Sequence, residues 1–103
     1  MALTKDFRQT VQARVQRDAK FRRGLLRDAI EALLSDETTL GREILRDFIN
    51  ATVGFPELAE KTGIHAKTLH QMFGPKGNPT AANLFRIIAV LQEQEGVQLR
   101  VVA

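Results

Sequence analysis

Basic, amide and hydroxyl side chains, all of which can form hydrogen bonds, occur close together between residues 65 and 78. A glutamine such as Gln71 can pair bidentately with adenine, a lysine such as Lys67 can donate to guanine acceptors, and histidines can also donate. The residues that we predict to contact DNA are His65, Ala66, Lys67, Thr68, His70, Gln71, Lys76 and Asn78. Their side-chain types therefore favour an interface with nucleic acid.

The net charge of +3 is unevenly distributed along the chain. Residues 1–27 hold eight basic residues against two acidic ones, acids predominate between residues 28 and 60, and residues 61–92 contain no acid. Because phosphate binding tolerates few nearby carboxylates, this distribution favours a polyanionic partner. The alternative is that the basic residues only solvate helix faces.

Other chemistries lack the residues that they require. His65 and His70 are five residues apart, which does not place them on one helix face, and the chain has no cysteine, so we expect no metal site. Ser35, the only serine, stands in an acidic turn without the strand-to-helix elbow of a hydrolase. Residues 74–80 lack the glycine spacing of a phosphate loop. We expect neither an enzyme nor a bound cofactor.

The composition is that of one ordinary globular domain. The chain has 103 residues, of which 44% are hydrophobic and 26% charged. Its N-terminus lacks the apolar run of a signal peptide, and the longest uninterrupted apolar stretch, residues 87–91, is far shorter than a membrane span. We therefore expect a cytoplasmic protein that does not bind membranes.

Five to six helices are predicted to position the DNA-reading side chains, in an all-α fold. Thr4 can cap a first helix with a narrow apolar stripe of Phe7, Val11 and Val15. Asp18 can cap a second helix, and a third should end near Ala51. The predicted apolar faces are Leu25, Leu26, Ala29, Ile30, Leu33 and Leu34 on the second helix, and Leu40, Ile44, Leu45, Phe48 and Ile49 on the third.

Two short helices follow, joined by a sharp turn. Pro56 suits the first turn of one helix, and Gly63 can adopt the left-handed conformation that ends it. Ala59 is small enough for a close approach of the two backbones. The residues predicted to form the motif core are Leu58, Ala59, Gly63, Ile64, Leu69 and Met72. The alternative is a helical hairpin that only packs a core.

The segment after these helices has a loop, a last helix and a predicted strand. Residues 74–79 form a turn-rich loop in which Lys76 and Asn78 can contact phosphate oxygens, although a plain loop is the alternative. Thr80 can cap the last helix and Gly96 can end it. Residues 97–102 alternate like a short β-strand, which would need a partner such as the tail of a dimer mate.

Residues 55–91 resemble the helix-turn-helix of the Cro and phage-repressor superfamily. The segment LAEKTGIHAKTLHQMFGPKGNPTAANLFRIIAVLQ is similar, more narrowly, to antidote (antitoxin) regulators of addiction modules, with their leucine–alanine pair, turn glycine and GNP before the last helix. The resemblance implies a lambda-repressor-like bundle, binding to the protein's own operator, and a RelE-like toxin as partner. The chain departs from many Cro-type domains in having Phe55, Pro56 and Glu57 where a phosphate-contacting glutamine begins the motif.

We predict a sequence-specific DNA-binding regulator with three segments. Residues 1–34 form an N-terminal helical extension for dimer or partner binding, residues 35–96 form the DNA-binding domain, and residues 97–103 form the strand. A homodimer on double-stranded DNA is expected, because one small module buries little DNA surface. The rival hypothesis is a protein-interaction module that binds a toxin or another partner without reading DNA. The basic N-terminal helix could also contact DNA or simply be solvated.

Overall fold

The computed structural model describes residues 5–103, with side-chain surroundings from residue 9 onward. The described chain is all-helical, as predicted. Its six helices are α1 (Lys5–Arg17), α2 (Ala19–Leu34), α3 (Thr38–Ala51), α4 (Phe55–Thr62), α5 (Ala66–Met72) and α6 (Ala81–Glu95). The predicted cap at Thr4 and the side chain of Phe7 lie outside the description. Among the described helices, none is long and apolar enough to cross a membrane.

The chain divides between Thr52 and Val53 into two compact units. In the first unit α2 packs against α3, and α1 packs against both. The core side chains that are at most 5% exposed in this unit are Val15, Leu26, Ala29, Ala32, Leu45, Phe48, Ile49 and Ala51. The division into functional segments at residues 34 and 96 stays a prediction.

Two residues of the predicted apolar faces are exposed to solvent. Leu34 is 69% exposed and Leu40 is 47% exposed, and they flank the connection from α2 to α3. Leu34 is the last residue of α2, where the helix periodicity that predicted burial ends, and Asp36 follows with a positive φ of 62°. Helical spacing therefore predicted which residues of α2 and α3 face inward along most of each helix, but it failed next to the connection between the two helices.

The start of α2 is held by the predicted cap. The Phe21 backbone N–H donates to the Asp18 carboxylate over 3.0 Å. This hydrogen bond, followed by the attraction of Arg14, lowers the pKa of Asp18 below its usual value of 3.8. The Arg14 guanidinium lies 3.6 Å from the carboxylate and also stacks over the Phe21 ring. The α1–α2 junction is thus fixed by local contacts.

The second unit comprises α4, α5 and α6, with α4 packed against the other two helices. Thr80 caps α6 by accepting from the Asn83 N–H over 3.2 Å, and Gly96 ends it in the left-handed conformation, as predicted. Three α6 residues, Ile87, Ile88 and Leu91, are buried. α6 packs against α4, which in turn contacts α5.

The predicted C-terminal strand is wrong for the described single chain, in which residues 97–103 form no strand. A strand requires a neighbouring strand for its hydrogen bonds, and the described residues contain none. One tail amide is satisfied differently, because the Leu99 N–H donates to Gln92 Oε1 over 2.7 Å. Val101 and Val102 remain more than 80% exposed.

Candidate nucleic-acid interface

The turn between α4 and α5 consists of residues 63–65. Gly63 has a φ of 74°, the left-handed conformation that a residue with a Cβ adopts only with strain. Its N–H donates to the Ala59 carbonyl over 2.9 Å, which closes the end of α4. The sharp change of direction after α4 therefore depends on this glycine's backbone conformation.

Thr62 fixes the same turn, and sequence reasoning missed it. Its buried hydroxyl donates to the Leu58 carbonyl over 2.8 Å and accepts from the Ile64 N–H over 3.2 Å. One side chain thus satisfies backbone groups on both sides of Gly63. The available signal was a hydroxyl residue directly before the turn glycine.

Apolar side chains from both helices lie beneath the turn. Leu58 and Leu69 are fully buried, and Ile64 and Met72 are less than 9% exposed. Ala59 is partly buried. These residues anchor α5 by its inner side and leave the remaining side of this seven-residue helix to solvent.

The outer side of α5 carries the residues predicted to read DNA. His65, Lys67, Thr68, His70 and Gln71 are exposed, and Ala66 is partly buried. His65 also has a structural role, since its Nδ1 accepts from the Lys67 N–H over 3.2 Å and caps the helix. That bond leaves Nε2 as the ring nitrogen that can donate to a ligand.

An aromatic contact links α4 to the exposed side of α5. The His70 ring packs on Phe55 with centroids 4.4 Å apart, and Phe55 in turn lies 5.9 Å from Phe73. Phe55 is only 4% exposed. Phe55 therefore supports the His70 ring from the inside of the unit, a role that its position in the sequence did not predict.

The loop after α5 folds back on the end of that helix. The Gly77 N–H donates to the Gly74 carbonyl over 3.0 Å, and a Cβ on Gly77 would clash with the carbonyl oxygens of Met72 and Gln71. Only glycine permits this close approach. Sequence reasoning treated Gly77 as an ordinary loop residue.

This loop and α5 together line one open depression of about 650 Å³. Four of its lining residues are predicted DNA contacts, namely Thr68, Gln71, Lys76 and Asn78. His65, Ala66, Lys67 and His70 are not among the lining residues. The structure thus brings the predicted base-reading and phosphate-binding groups together only in part.

Two exposed lysines, one on α5 and one in the loop, lie in a stretch of the sequence without acids. Lys67 and Lys76 are exposed, and neither forms an ion pair in the part of the chain that the structure describes. Residues 61–92 contain no carboxylate side chain. A phosphate group could approach these lysines without repulsion from a nearby acid in the sequence. Among residues 5–103, no group of three or more His, Cys, Asp or Glu side chains could hold a metal ion.

Comparisons of the chain with protein-family profiles, with curated proteins and with solved structures find no match. The chemistry of the second unit is therefore inferred from its own geometry.

Proposed function

We propose that this protein is a sequence-specific DNA-binding transcriptional regulator that inserts the outer side of α5 into the major groove. The observation that carries the proposal is the exposed polar side of α5, anchored by a buried inner side and a turn at Gly63, beside an acid-free loop. A short helix that is held from one side and polar on the other suits insertion into a groove. In this proposal the second unit adopts the helix-turn-helix arrangement of lambda-repressor-like domains.

The exposed residues divide into base-reading and phosphate-binding groups. Gln71 pairs with adenine, Lys67 donates to guanine, and Thr68 and the two histidines make further hydrogen bonds to base edges. Lys76 and Asn78 bind phosphate oxygens beside the groove and fix the helix in register. The two groups lie next to each other, because Gln71 of the first lines the same depression as Lys76 and Asn78 of the second.

The resemblance of residues 55–91 to antidote regulators extends the proposal to the protein's role in the cell. The protein would repress its own operon as a homodimer and would bind a cognate toxin. Two helix-turn-helix units related by a two-fold axis would read half-sites about 10 base pairs apart.

The salt dependence of DNA binding tests the proposal. We expect the affinity for duplex DNA to fall steeply with salt, and Lys76→Gln to weaken binding to all sequences while reducing the slope of log K against log salt by about one. Electrophoretic mobility shift or fluorescence anisotropy at several salt concentrations measures both.

Lys20→Gln is the matched control, because it removes one exposed lysine from α2 in the other unit. It should leave the slope nearly unchanged. Equal effects of the two substitutions would mean that net charge, and not the proposed surface, causes binding.

A second candidate function is supported by the exposed leucines of the first unit. Leu34 and Leu40 present apolar surface beside Asp36 and Glu37, which suits a basic protein partner such as a toxin. This candidate is a protein-interaction module that does not read DNA. If the double variant Leu34→Ser, Leu40→Ser lost binding to a co-expressed RelE-like toxin while wild-type protein failed to bind DNA, this candidate would replace the first.

A further inference from the structure

The outer side of α6 carries exposed apolar and charged residues that have no role in the proposed DNA binding. Phe85 is 64% exposed, although it lies inside a well-formed helix as the fifth of its 15 residues. Ala82, Arg86, Ala89 and Glu93 are exposed as well. At 3.6 residues per turn these five positions fall on one side of the helix, opposite Ile87 and Leu91, which are buried.

The small residues of this side allow a second helix to approach. Ala82 and Ala89 stand two turns apart, and Phe85 lies between them as the large apolar group. Helix axes approach more closely where the side chains at the contact are small, and a phenylalanine contributes a large apolar area on burial. An exposed phenylalanine flanked by alanines therefore fits packing against another helix.

The charges on this side select an antiparallel copy of α6 as the partner. Arg86 and Glu93 are also two turns apart, and neither forms an ion pair in the described chain. A two-fold axis between Ala89 and Val90 places Arg86 opposite Glu93 of a second copy, and it does so twice by symmetry. Parallel pairing in register would instead place Arg86 against Arg86, which is repulsive.

We infer that α6 is the homodimer interface, in which two copies pack antiparallel through Phe85 and are paired by Arg86 and Glu93. The inference rests on the proposed function in one respect, which is that binding to two DNA half-sites requires a dimer. A single pair of helices buries little surface compared with standard interfaces, so the dimer should dissociate reversibly on dilution.

Reversing the charges of Arg86 and Glu93, singly and together, tests this interface in the absence of DNA. Sedimentation velocity or light scattering over a concentration series up to about 1 mM gives the dimer dissociation constant. Arg86→Glu and Glu93→Arg should each raise that constant by about tenfold or more, because each creates two like-charge contacts. The double variant should recover dimerisation to near the wild-type level. Phe85→Ser should weaken the dimer without charge change.

The matched control is Arg23→Glu, which makes the same charge change at an exposed position of α2. It should leave the dissociation constant unchanged. Circular dichroism and thermal unfolding check that every variant is folded, and a variant that is unfolded is replaced by the milder Arg86→Gln or Glu93→Gln, which should weaken the dimer less. Each milder variant is judged by the same dissociation constant.

Three results would overturn the interface. These are a protein that stays monomeric throughout the series, a double variant as weak as the single ones, and a control that weakens dimerisation as much as Arg86→Glu does. The last result would instead favour an interface on the N-terminal helices. Binding of the wild-type dimer to DNA is measured separately, so a dimer that ignores DNA would contradict the proposed function and leave this interface intact.

Discussion

At the scale of single residues, two glycines hold the ends of α5 for different physical reasons. Gly63 is required for its left-handed backbone, and there is space around it for a side chain. Gly77 is required for space, because the loop backbone lies against the last carbonyls of α5. The position of α5 therefore depends on a conformational constraint at one end and on a steric constraint at the other.

Substitution of Gly77 should disturb the loop that carries Lys76 and Asn78. Gly77→Ala must push the loop backbone away from α5, and we expect a loss of roughly 1–3 kcal/mol in the free energy of unfolding. DNA affinity should fall as well, because the proposed phosphate contacts move. Urea denaturation and anisotropy titration measure the two effects.

Gly74→Ala is the control within the same loop. A Cβ at Gly74 would lie 3.4 Å from the nearest carbonyl oxygens, which is ordinary contact. That variant should stay close to wild type in both measurements. Equal losses at Gly74 and Gly77 would refute the steric account.

At the scale of elements, the helices start and end where side chains satisfy their terminal backbone groups. Asp18 and Thr80 cap α2 and α6, and Gly63 and Gly96 end α4 and α6. In contrast, Glu37 precedes α3 without a side-chain capping bond. The start of α2 thus has a titratable contribution to stability.

Stability should depend on pH through Asp18. The folded-state pKa of this carboxyl is lowered, chiefly by the Phe21 N–H, so ionised Asp18 stabilises α2 above its unfolded pKa near 3.8. The contribution is lost as the pH falls through the lower folded pKa. Thermal unfolding between about pH 6 and pH 3 should therefore show a wild-type advantage over Asp18→Asn that shrinks towards acid.

The asparagine variant isolates the charge, because its side chain can still accept the capping hydrogen bond. A difference between wild type and Asp18→Asn that stayed constant across this pH range would contradict the role assigned to the carboxylate.

At the scale of the whole molecule, the two compact units differ in what they present. The second unit carries the turn, α5 and the acid-free loop, and the first presents two exposed leucines with two acidic residues between them in the sequence. In the proposal the second unit reads DNA, and the first is available to a protein partner. Separate surfaces would let one small regulator respond to a partner while bound to its operator.

Much of this architecture could be predicted from local sequence signals. Asp18, Thr80, Pro56 and Gly63 act within a few residues of their own position, so their effects on helix ends were predictable. The role of Phe55 beneath His70 and the close approach at Gly77 depend on contacts between elements, which periodicity does not give. The predicted strand failed because its formation depends on a partner strand that the described chain does not supply.

Selection of bound sequences from a random duplex library tests the central claim most directly. The wild-type protein should enrich one motif made of two related half-sites, and Gln71→Ala should lose the preference at one base pair of each half-site while Lys76→Ala keeps the motif at lower affinity. Enrichment of no motif, or of the same motif with undiminished preference by Gln71→Ala, would contradict the proposal that α5 reads DNA.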